Sequence, residues 1–150
     1  MKKIRAILIV FTIVCIFSGC KEKTLSLSAF GDVTSEHSIR VFDYDTTDSR
    51  IKRWSRARSD ANDIVIQFIE CSSESDANSV YSENVTYMKN SCETSTETGS
   101  EGNGSYKLSA QGFYYEVDRC NQYVIVVTCS TVNRAEAQQI ISELPEVGSK

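Results

Sequence analysis

Five cationic residues and the chain's single tryptophan crowd into nine positions, in the run "RIKRWSRAR" from Arg50 to Arg58. In an extended strand side chains alternate between faces. Arg50, Lys52, Trp54, Arg56 and Arg58 then share one face, with Ile51, Arg53 and Ala57 on the other. The chemistry offered is recognition of an anion by guanidinium and ammonium groups around an aromatic, the residue types enriched at interface hot spots. As a helix the same residues scatter over several faces and no stripe exists. The competing reading packs Trp54 under arginine stems and pairs the charges with Asp43, Asp45 and Asp48.

A second chemical feature lies near the start. Lys2, Lys3 and Arg5 precede an apolar core from Ile7 to Phe17, which stops at Ser18-Gly19-Cys20 with charge behind it. This has the layout of a secretory signal, and it is short for a spanning helix, which needs about 20 apolar residues. Phe17-Ser18-Gly19-Cys20 resembles the bacterial lipobox, departing from it where Leu usually stands. The resemblance implies that residues 1–19 are a cleaved lipoprotein signal peptide. It also implies that Cys20 becomes a diacylglyceryl, palmitate-bearing first residue on the extracytoplasmic face of a cell membrane, or on the outer membrane in a Gram-negative source. More than one acyl chain makes a durable anchor. The alternative is a signal anchor that happens to contain Gly-Cys. Residues 20–24 form a tether reaching only about 14 Å from Lys21 to Thr24 when fully extended.

Removing residues 1–19, with three basic residues and no acid, takes the formal charge from −4 to −7. A chain this acidic is a poor match for nucleic acid, whose non-specific affinity comes from neutralising phosphates. The remaining length suits one domain over residues 25–145, followed by a tail at 146–150. Cys71, Cys92, Cys120 and Cys129 give an exported domain material for two disulfides, in three possible connectivities. The alternative is four buried thiols.

Catalytic motifs are missing. His37 is the single imidazole, no G-x-S-x-G or C-x-x-C occurs, and Gly102 and Gly104 sit among acids that would repel phosphate. We therefore expect no catalytic residue, no metal site and no cofactor. An enzyme built from carboxylates would need two acids of opposed pKa in one cleft. A small-ligand module would need a pocket between sheet and helices, lined by aromatics such as Phe68, Tyr114 or Tyr123.

The periodicity supplies the elements that must position these groups. A short helix capped by Ser26 or Ser28 should end near His37, before a strand over Ile39–Tyr44. Asp63–Cys71 reads as a central strand, rich in Ile, Val and Phe. The following segment, opened by Ser72 or Ser73, places Ala77, Val80, Tyr81, Val85 or Asn84, and Met88 on one helical face. Residues 93–104 lack apolar side chains and read as a mobile acidic loop. Strands over Tyr106–Ala110, Phe113–Val117 and Tyr123–Cys129 follow with short breaks. A last helix capped by Thr131 or Asn133 turns Ala137, Ile140, Ile141 and Leu144 inward until Pro145. These elements predict an α+β fold: an antiparallel sheet of five to six strands with two or three helices on one side.

This order, with "IQFIEC", "GFYYEVDRCNQYVIVV" and the closing amphipathic helix, resembles small surface lipoproteins of Gram-positive bacteria whose function is not known. That resemblance implies an architecture and no activity. The expected function is a non-enzymatic, membrane-anchored lipoprotein that binds a protein or envelope component, with the small-ligand module as the alternative.

Overall fold

Local sequence signals set the element boundaries in the computed structural model, which describes residues 24–59, 61, 63–91, 100–102 and 104–147. Ser26 accepts a hydrogen bond from the Ala29 N–H at 3.2 Å and starts α1, Leu27–Glu36. Ser73 Oγ accepts from the Asp76 N–H at 3.1 Å and donates to its carboxylate at 2.7 Å, at the head of α2, Glu74–Ser91. This satisfies one of the donors that a helix start leaves free. The last helix, α3, spans Arg134–Glu143 after a 3-10 turn over Thr131–Asn133. Asn133 occupies its cap position without a side-chain capping bond and donates to Ser130 Oγ instead.

Seven strands form one wholly antiparallel sheet: β1 Arg40–Tyr44, β2 Ile51–Ser59, β3 Ile64–Cys71, β4 Ser100–Gly102, β5 Ser105–Ala110, β6 Phe113–Cys120 and β7 Tyr123–Ser130. Their spatial order is β1-β2-β3-β7-β6-β5-β4. The β5–β6 hairpin turns on Gln111 and Gly112, both at positive φ (51° and 83°), which matches the right-handed twist of its strands. The seventh strand, β4, comes from a segment expected as loop: Ser100–Gly102 pairs with Ser105–Lys107. The rest of that loop, residues 93–99 and 103, together with residue 92, the signal, Cys20, the tether to residue 23 and residues 148–150 of the tail, lie outside the described residues.

The α+β class and the antiparallel sheet stand as expected; the placement of the helices does not. Ile64, Ile66 and Phe68 of β3 and Ile125, Val127 and Cys129 of β7 pack with Phe30 of α1 and Ala137, Ile140 and Ile141 of α3. The intervening Ile69, Cys71, Val124 and Val126 pack with Ala77, Val80, Val85 and Met88 of α2 on the opposite face. The helices therefore cover both faces. The reason is written in β3 and β7 themselves, whose nearly unbroken apolar runs require burial on both sides.

This two-sided core also separates the cysteines. Cys71 lies in the α2-side cluster, whereas Cys129 and Cys120 lie with the α1/α3 side. Register puts Cys129 opposite Tyr114 and Cys120 opposite Tyr123, at the two ends of the β6–β7 ladder. Cys71 and Cys129 are buried, and the half-buried Cys120 thiol donates to Glu146 at 3.2 Å. Cys92, the fourth cysteine of the disulfide expectation, lies outside the described residues.

Candidate functional site

The cationic run is extended, as the alternating reading requires, and pairs with β1 on one side and β3 on the other. The register skips Lys52, since Ile51 faces Cys71 while Arg53 faces Glu70. This bulge gives β2 one extra residue and breaks the alternation there. Arg50 precedes the strand and is taken up structurally. Its guanidinium donates to Asp48 (3.0 and 2.7 Å) and to Glu83 of α2 (2.5 and 3.0 Å). The Arg50 hydrogen bonds hold the Asp48 carboxyl down at about 2. Of the five candidates, Arg50 is a brace between loop and helix, and Lys52 is an exposed residue at a bulge.

Trp54, Arg56 and Arg58 do share a face, and β1 completes it. Tyr44 lies opposite Trp54, Phe42 opposite Arg56, and Arg40 opposite Arg58. The Tyr44 and Trp54 rings meet at 5.2 Å, and the indole N–H donates to Gln67 of β3 at 3.0 Å. Trp54 is thus half-buried and anchored, while Phe42 and Tyr44 are 50% and 42% exposed. Among the described residues, a hollow of about 510 Å³ on this face is lined by Ser38, Arg40, Phe42, Tyr44, Arg56 and Arg58, with Ser59 and Ala61. Asp43 does not belong to it: its carboxylate accepts from Ser55 at 2.5 Å, across to the α1/α3 side.

Two features of this face favour an anionic partner. Arg40 and Arg58 stand directly opposite each other, and like charges so placed destabilise a ladder. Arg56 Nε is buried without a hydrogen-bond partner among the described residues, and an unmet buried donor carries a desolvation penalty of about 1–3 kcal/mol. β1 is also a sheet edge, whose outer backbone groups no strand pairs among the described residues.

The other sequence expectations find their places. His37 caps α1 and bonds Glu143 of α3 at 2.7 Å, which holds the Glu143 carboxyl below its ordinary range. Phe68 and Tyr114 are fully buried core, and Tyr123 is half-buried with its ring 5.5 Å from that of Phe68. A hollow between the sheet and α3 does exist, with a polar wall: Lys107, Glu116 and Asp118. The sequence reading missed these residues. Their signal was alternation in "YYEVD", which puts Tyr114, Glu116 and Asp118 on one face of a strand whose neighbours are buried. The two acids stand side by side on one wall, unlike the flanking pair that glycoside cleavage employs.

Among the described residues, no group of acids, cysteines and histidine is placed to hold a metal ion, and no helix is long and apolar enough to cross a membrane. No family model and no curated protein matches the chain. Among solved structures, a GTP binding regulator from Thermotoga maritima is similar at 14% identity and a TM-score of 0.48, over 81% of this chain and 89% of that one.

Proposed function

We infer that this protein is a lipid-anchored, extracytoplasmic, non-enzymatic binding module that takes an acidic polypeptide segment on the β1–β2 face. The observation that carries the reading is the facing pair Arg40 and Arg58 beside exposed Phe42 and Tyr44, on a face bordered by an unpaired strand edge. An extended segment added along β1 would gain backbone hydrogen bonds from the edge, and its alternate side chains would fall over this face. A carboxylate over the facing Arg40 and Arg58 would add a counter-charge to the pair, and would offer Arg56 Nε an acceptor. Flat contact with an anionic bilayer is less well supported, because it would leave the β1 backbone edge unpaired, whereas an extended segment pairs with it. Anchoring rests on Cys20 and the residues before it.

The test uses the full chain and the double variant Arg40→Glu/Arg58→Glu, which keeps a like-charged pair in the ladder and reverses the sign of the face. A labelled peptide of alternating Glu and Val should bind the native protein in a salt-sensitive way. It should bind the variant at least about tenfold more weakly, since each exposed ion pair contributes up to about 1 kcal/mol. Equal binding by both proteins overturns the reading. Binding of phosphatidylglycerol vesicles instead of the peptide would reassign the face to the membrane.

A further inference from the structure

We propose that the hollow between β5, β6 and α3 is a binding site for a small organic monocation, a primary ammonium or guanidinium compound, with Asp118 as its anchor. The argument begins with what is already satisfied. Glu116, 2% exposed, spends one oxygen on Lys107 Nζ at 2.7 Å and the other on the Tyr114 hydroxyl at 2.5 Å. That hydroxyl in turn accepts from Gln138 Nε2 of α3 at 3.0 Å, and the Arg134 guanidinium lies over the Tyr114 ring at 4.8 Å. This network forms a closed wall that needs no ligand.

Asp118, next on the same face, is different. It is 6% exposed, and among the described residues neither its Oδ2 nor Ser105 Oγ across on β5 makes a well-aligned hydrogen bond, although Ser105 and Glu116 both lie close enough to act on its carboxyl. Both residues line a cavity of about 300 Å³, together with Lys107, Glu116, Gln138, Ile141, Ser142 and Val147. That volume is at the small end of ligand pockets. A buried carboxylate oxygen without a donor is costly, and buried charges are ordinarily paired. With two carboxylates against one ammonium, the charged groups of the lining lack one positive charge. A group with several N–H donors and a single positive charge supplies what is missing: donors for Asp118 Oδ2 and Ser105 Oγ, with Ser142 within the same hollow. Ile141 and Val147 would receive a short apolar portion. A divalent metal fits poorly, because Lys107 occupies the space beside Glu116.

Binding should depend on pH. The groups facing Asp118 are Glu116 on its own strand, Lys107 and Ser105 on β5, and the neutral Gln138, Ile141 and Ser142 of α3. Burial first, and then Glu116, push its carboxyl up to about 6. A cation needs the ionised form, so affinity should fall about tenfold between pH 7 and pH 5 as the anchor protonates.

The experiment titrates the purified full chain with n-butylammonium and methylguanidinium, beside n-butanol and methylurea as neutral matches, following amide chemical shifts. The expected result is saturable shifts at Ser105, Asp118 and Ser142 with at least one cation and neither neutral match. These should weaken with acid and be lost in Asp118→Asn. Ser105→Ala, a smaller change that keeps the carboxylate, should weaken binding severalfold. Equal response to the neutral matches, shifts confined to other surfaces, or no response to either cation at 50 mM overturns the proposal.

Discussion

Phe68 is the residue on which the central position of β3 can be tested most directly. It is fully buried, with its ring 5.4 Å from Phe30 of α1 and 5.5 Å from Tyr123 of β7, so truncation removes contacts to a helix and to the neighbouring strand together. Phe-to-Ala changes at closed sites cost about 3–5 kcal/mol, combining lost transfer energy with the cavity left behind. Two ring contacts of this type place Phe68→Ala at the upper part of that range. In a domain of this size the loss corresponds to roughly 15–20 °C in Tm. Phe68→Leu retains most of the volume and should cost under about 1.5 kcal/mol. The assay is urea unfolding followed by fluorescence of Trp54, the single tryptophan, whose strand pairs with β3. A loss below about 1 kcal/mol for the alanine variant, with m unchanged, would refute the packing argument and with it the central placement of β3.

Cys20→Ser should abolish incorporation of labelled palmitate and leave the precursor unprocessed; normal labelling would end the lipobox reading. Asp118→Asn should stabilise the fold by about 1–3 kcal/mol near pH 7.5 and by nothing near pH 3. The sign follows from a folded-state carboxyl raised to about 6: both states are protonated below the ordinary value, only the unfolded state ionises between the two values, and above about 6 the fold holds an ill-solvated charge. Destabilisation at pH 7.5 would show instead that the carboxylate is satisfied. Burial pushes the Cys71 and Cys129 thiols up to about 11, whereas Cys120 is half-buried. Alkylation of the native protein at pH 8 should therefore reach Cys120 first, and all three should label after unfolding without reductant. Failure of any of them to label in the unfolded, unreduced chain would reveal a disulfide.

The sequence by itself determined what depends on near neighbours along the chain. Ser26 and Ser73 mark helix starts because a hydroxyl can reach an N–H three residues on. The alternation in "RIKRWSRAR" and the apolar spacing of α2 fix which residues share a face once an element forms. The lipobox resemblance at Cys20 is likewise a matter of linear order.

Only the tertiary structure decided which faces meet. Nothing local in Ser72 or Ser73 says that α2 crosses to the face opposite α1 and α3, although the continuous apolar runs of β3 and β7 required cover on both sides. The bulge at Lys52 and the capture of Arg50 by Glu83 depend on a partner strand and a helix distant in sequence. They turn a five-residue stripe into a three-residue one, which Arg40, Phe42 and Tyr44 complete. Glu116 and Asp118 resemble ordinary surface acids until β5 and α3 close over them, because burial, and with it the energy of an unpaired carboxylate, is a property of the assembled layers.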